Sequence, residues 1–139
     1  MSLLKLEWEV KEDIEKLKDL CQENLKNSYS PYSKIKVTSA LKTSSGKTYT
    51  GCNIENASFS ETICAERVAI FKALSEGEKE ISLIYIYSEK GFPPCGPCRQ
   101  VLSEFAAKDL KVVVASSQGH QVYDFAEIYP NSFSKESFR

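Results

Sequence analysis

Residues 83–115, LIYIYSEKGFPPCGPCRQVLSEFAAKDLKVVVA, decide the fold. Leu83–Tyr87 and Lys111–Ala115 are short apolar runs rich in β-branched or aromatic side chains, and each reads as a strand. Between them Val101, Leu102, Phe105 and Ala106 mark one face of a helix. A strand, helix, strand crossover joins parallel strands, with right-handed sense.

Working outward, Ile35, Val37, Ser39 and Leu41 alternate with Lys36, Thr38, Ala40 and Lys42 as in a half-buried strand. Ser44-Ser45-Gly46 supplies turn chemistry, and the Thr- and Tyr-rich segment Lys47–Cys52 returns as the second strand of a hairpin. Further upstream, Val10, Ile14, Leu17 and Cys21 recur at helical steps among charged residues, predicting an amphipathic helix. It should end near Tyr29, because Pro31 disfavours helical geometry at Ser30. Val68, Phe71 and Leu74 predict a second helix over about 64–76, stopped at Ser75-Glu76-Gly77. Downstream of the crossover, Gln118-Gly119 marks a turn, followed by a last strand around Gln121–Tyr123 and a short helix at Asp124–Ile128. Beyond Pro130 no pattern is readable. The expectation is an α/β protein with one three-layer α/β/α domain over residues 1–139, built on a mixed β-sheet.

The chain has 139 residues, 42% hydrophobic and 27% charged, the balance of an ordinary globular protein and not of a disordered one. Its 18 basic and 19 acidic residues give a formal charge of -1, which argues against nucleic acid or an anionic membrane as partner. No run has the length of a membrane span and Met1–Glu12 is too charged for a signal peptide, so a cytoplasmic location is expected. In a reducing compartment, a Cys-x-x-Cys pair among five cysteines points to metal binding or redox chemistry more than to a disulfide.

Three of the cysteines stand in two clusters, Cys64-Ala65-Glu66 and Pro94-Cys95-Gly96-Pro97-Cys98, each at an expected helix start. A helix N-terminus favours the thiolate form that ligates zinc. Three protein ligands with a fourth position open is the arrangement of catalytic zinc, whereas structural zinc is closed by four. Glu66, two residues from Cys64, can lean toward the open position and serve as general base to a zinc-acidified water. Such a water can attack a ring carbon that carries an amine. His120, the lone histidine, follows Gly119 in a turn without ligand spacing and is not expected to bind metal. Cys21 or Cys52 remains open as a fourth ligand, which would make the zinc structural.

Cys-x-Glu followed by Pro-Cys-x-x-Cys resembles the zinc nucleoside deaminases. Gly51-Cys52-Asn53-Ile54-Glu55-Asn56-Ala57, Cys64-Ala65-Glu66-Arg67 and Pro94-Cys95-Gly96-Pro97-Cys98-Arg99-Gln100 together resemble the small, homotetrameric, all-cysteine branch of the cytidine deaminases. The resemblance runs from about Tyr29 to Phe133. It implies one Zn²⁺ per chain on Cys64, Cys95 and Cys98, Glu66 as catalytic proton shuttle, and free cytidine and 2'-deoxycytidine as substrates. It further implies that Asn53 and Glu55 hold the ribose and that backbone groups of Ala65 meet the base. Arg67 would offset the charge of three thiolates on one Zn²⁺. The region around Phe133 would close a neighbouring subunit's site in a homotetramer.

Two stretches depart from the family: Ile35 stands where an aromatic is usual, and Val37-Thr38-Ser39-Ala40 replaces Val-Gly-Ala-Ala. The first touches the place where that ring packs against the pyrimidine. Alternatives are a deaminase of a modified cytosine nucleoside such as an aminonucleoside antibiotic, against which Asn53 and Glu55 argue, and a purine deaminase. A structural-zinc binding module for nucleic acid would need a filled fourth position and a basic stripe.

Overall fold

A computed structural model describes residues 3–138. Among them the chain forms α1 (Leu3–Asn24), β1 (Val37–Thr43), β2 (Thr48–Cys52), α2 (Ala65–Ser75), β3 (Ile81–Ser88), α3 (Gly96–Phe105), β4 (Ala106–Ser116), β5 (Gly119–Asp124) and α4 (Phe125–Ile128). The strands make one sheet in the order β2-β1-β3-β4-β5. β3 and β4 run parallel, and every other neighbouring pair is antiparallel. This is the expected mixed sheet, with the α3 crossover inside a pair of hairpins.

The period-two alternation of β3 sorts its side chains to two faces. Leu83 and Tyr85 join Ala40, Val113, Ala115 and the α1 residues Ile14, Leu17 and Cys21 in one buried cluster. Ile84 and Ile86 join Leu41, Val112, Ala69 and Ile70 of α2 and Leu102 of α3 in the other. The architecture is therefore α1, sheet, then α2 with α3, and each aliphatic side chain so buried contributes about 1.5–3 kcal/mol. α1 gives way to a 3-10 turn at Leu25–Asn27, and Tyr29 then bridges Ile54, laying the segment before β1 beside the one after β2. α4 opens with a capping box in which Asp124 and Glu127 exchange hydrogen bonds.

β2 and α2 meet at Gly51. A Cβ there would stand 2.5 Å from the Ala65 carbonyl oxygen and 2.6 Å from the Ala69 nitrogen, both backbone atoms. Only a residue without a side chain allows this approach, and α2 carries Glu66. Gly51→Ala is expected to destabilise the fold by about 1–3 kcal/mol, the usual scale of overpacking, because the helix backbone has to move. Denaturant unfolding of the two proteins measures it; a midpoint unchanged in the variant would show that β2 and α2 separate freely.

Candidate active site

α2 and α3 lie on the same face of the sheet, and each begins immediately after a cysteine. Cys64 and Cys95 occupy the N-cap positions in extended conformation, with Pro97 inside the first turn of α3, where its missing N–H costs nothing. The two helix starts converge. The Sγ atoms of Cys64 and Cys95 are 3.6 Å apart, those of Cys95 and Cys98 3.2 Å, and all three fall within 4.8 Å of one another. A tetrahedral zinc with Zn–S bonds of about 2.3 Å separates its sulfurs by about 3.8 Å, so the thiols fit that ion.

The electrostatics favour a thiolate at Cys64. Hydrogen bonding from the Cys98 thiol, helped by Arg67 and opposed by burial, draws the Cys64 thiol down to about 5. Cys98 moves the opposite way, because the same hydrogen bond and its burial favour its protonated form. The guanidinium of Arg67 lies with Nη2 3.5 Å from Cys64 Sγ, and that contact strengthens its hold on its own proton. Arg99 instead donates through Nε to the Pro94 carbonyl at 3.0 Å, fixing the approach to α3.

Glu66, in the first turn of α2, is only 4% exposed. Burial lifts its carboxyl to about 7, and the negative charge of Cys64 adds to the rise. It shares a cavity of about 210 Å³ with Cys64, Cys95, Ala65 and Asn53. A wider hollow of about 470 Å³ around Ser116, His120 and Tyr123 contains none of the three thiols.

The remaining residues singled out from sequence are placed variously. Asn53 accepts the Val37 N–H at 3.0 Å and the Ser28 hydroxyl on Oδ1, and donates from Nδ2 to the Ile35 carbonyl at 2.8 Å. One amide N–H is left over for a ligand. Glu55 accepts the N–H groups of Tyr32 and Ser33 and the Ser33 hydroxyl, and that hydroxyl chiefly lowers its pKa. Glu55 lines a neighbouring hollow with Tyr32, Phe59 and Thr62, so the two sugar-binding candidates do not share one cavity; Thr62 lines both. Ile35, 43% exposed, lies in a third hollow. Phe133 is 60% exposed; its carbonyl accepts a hydrogen bond from Gln100 and its ring meets Phe138 edge-on at 5.7 Å. Cys21 lies across the sheet with its thiol directed at the Tyr85 carbonyl, and the Cys52 thiol is 3.3 Å from the Asn27 carbonyl. The cavity also takes walls that sequence reading missed: Val37, Ile86, Thr62, Ile63 and Phe92. Thr62-Ile63 adjoin Cys64, and that adjacency was the available signal.

Residues 11–115 match the family described as the cytidine and deoxycytidylate deaminase zinc-binding region. The chain belongs to this deaminase family. It is 39% identical to a cytidine deaminase of Sporosarcina psychrophila, across 89% of this chain and 93% of that protein. With a cytidine deaminase of Halalkalibacterium halodurans it shares 42% identity across 78% of this chain and 85% of the relative. The crystal structure of the cytidine deaminase from Burkholderia pseudomallei superposes with a TM-score of 0.81 at 36% identity, covering 86% of this chain and 98% of that one. Family membership makes the chain a zinc-dependent hydrolytic deaminase, with Cys64, Cys95 and Cys98 able to bind one zinc.

Proposed function

We propose that the chain hydrolyses free cytidine and 2'-deoxycytidine to uridine and 2'-deoxyuridine, releasing ammonia, as a single deaminase domain in the cytoplasm. The observation that carries this reading is a cavity lined by the buried carboxyl of Glu66, by Asn53 and by Cys64 and Cys95, two members of the three-thiol cluster that the buried Cys98 completes. Cys64, Cys95 and Cys98 would hold the zinc, which when bound would supply Lewis acidity and a more acidic water. Glu66 takes a proton from the attacking water and delivers it to the ring nitrogen next to the amine-bearing carbon. It then carries the remaining proton of the added hydroxyl to the amine, so that the carbonyl forms as the C–N bond breaks and ammonia leaves. Burial raises the Glu66 carboxyl above the usual carboxylate range, which favours its carrying a proton between the two transfers. Arg67 offsets thiolate charge and Ala65 presents backbone groups of the first helical turn to the base. Asn53 gives its spare N–H to the sugar, and Glu55 accepts a sugar hydroxyl from the adjoining hollow, which Thr62 also lines.

Cytidine and deoxycytidine are expected to be good substrates, cytosine poor because it forfeits the sugar contacts, and cytidine monophosphate poor because phosphate approaches acidic Glu55. An ultraviolet assay of the zinc-loaded protein across nucleosides, bases and nucleotides reads this out. Equal kcat/KM for cytosine and cytidine would remove the sugar-gripping role, and guanosine turnover without cytidine turnover would remove the substrate assignment.

We further propose a homotetramer in which the segment around Phe133 closes a neighbour's site. In support, Phe133, Phe59 and Phe138 are all exposed, and Phe133 is absent from the cavity of its own chain. Light scattering alongside a dilution series of the assay tests it: a fully active monomer would overturn shared sites.

A further inference from the structure

We propose that Phe92 is a specificity-determining residue of this site, supplying the ring surface against which the substrate's pyrimidine packs. This rests on the deaminase reading above. Among the described residues, Phe92 is the one aromatic lining the cavity that holds Cys64, Glu66 and Asn53. Phe92 also lines the adjoining hollow of about 420 Å³, where Ile35 lies. Ile35 is not among the residues lining the thiol cavity, so the ring at the wall comes from the segment before α3 and not from the one before β1.

The position of Phe92 is fixed by the end of β3. Ile84 and Ile86 face α2 and α3, and Ile86 itself lines the cavity, so the alternation puts Ser88 on that same face. Ser88 is buried, and its hydroxyl oxygen accepts the N–H groups of Gly91 at 3.0 Å and Phe92 at 2.9 Å. Its carbonyl accepts the Gly91 N–H as well, at 3.2 Å. Gly91 adopts φ +78, a conformation that side-chain-bearing residues rarely take, and so turns the chain sharply after β3. Pro93 and Pro94 follow and stiffen the run into Cys95. A residue on so short and anchored a turn loses little freedom when a ligand packs on it. Phe92 is 40% exposed, leaving ring surface available to a planar base. The other side chains around the cavity are aliphatic, polar or sulfur-bearing, and none of them offers a π surface.

An aromatic contact of this kind is present before and during attack on the ring, so it acts mainly on binding. The test measures uridine affinity by calorimetry and cytidine kinetics for the zinc-loaded protein, Phe92→Leu and Phe92→Tyr, with zinc content matched. Phe92→Leu is expected to raise the Kd for uridine and the KM for cytidine about twofold to tenfold, with kcat within about twofold. Phe92→Tyr, which keeps the ring, is expected to stay within about twofold of wild type in both. Unchanged uridine affinity in Phe92→Leu overturns the proposal, and so does a loss in Phe92→Tyr equal to that in Phe92→Leu, since the ring then contributes nothing. A wild-type protein that neither binds uridine nor deaminates cytidine overturns the substrate reading and this proposal together. An active wild type with an indifferent Phe92→Leu overturns this proposal alone.

Discussion

Glu66→Gln is expected to retain one zinc and the native fold while losing a hundredfold or more in turnover, about the scale of general acid and base catalysis. The amide has nearly the shape of the carboxyl and can occupy the same buried position in the first turn of α2. It cannot accept the proton of an attacking water, and it has none to return to the ring nitrogen or to the leaving amine. Among the described residues, no other carboxylate lines the cavity to take its place. The loss should fall on kcat, since the proton transfers belong to the transition state and not to substrate binding. Steady-state kinetics with metal analysis on the same sample decides it: near-normal turnover in a zinc-replete variant would remove Glu66 from the mechanism.

Cys98→Ser is expected to abolish stoichiometric zinc and, with it, activity. Cys98 is fully buried, and its Sγ is 3.2 Å from that of Cys95. A serine hydroxyl holds its proton too tightly to replace a thiolate, so only two sulfurs remain for the ion. Cys21→Ser and Cys52→Ser are the contrasting variants. Their thiols are engaged by backbone carbonyls elsewhere, and burial pushes the Cys21 thiol up to about 12, away from the thiolate form. Both should keep one zinc per chain by atomic absorption. Zinc lost from the Cys52 variant would mean a closed, four-sulfur site, and the catalytic reading would fall.

The sequence made the layers legible because burial imposes period. Leu17 and Cys21 fall on the apolar stripe of α1, and the alternation in β3 divides its residues between two cores. It hid the first half of β4, which begins directly after Phe105 and includes Lys108 and Asp109, whose exposed side chains break any apolar run. β5 was similarly faint, because as an outer strand it leaves most of its side chains in solvent. At the site, ligand chemistry was readable from Cys64, Cys95 and Cys98, since metal binding requires particular atoms at particular spacings. The bonds of Asn53 to Ile35 and Val37, the burial of Glu66 and the position of Phe92 were not. Each depends on chain segments that meet only in three dimensions, and a lone Phe before two prolines has no periodicity to betray it.

The thiols are contributed from either side of a seam. Cys64 introduces the helix packed on the β1–β2 hairpin, while Cys95 and Cys98 belong to the β3–α3–β4 crossover, Cys95 lying 31 positions after Cys64. An ion gripping all three sulfurs is therefore a keystone between two parts of the polypeptide as well as a reagent. No such cluster is preformed in an unfolded chain, so the free energy of binding the ion is also free energy of holding hairpin and crossover together. Chelation is thus expected to withdraw the catalyst and loosen the masonry in the same event, with resistance to unfolding rising and falling with the availability of metal.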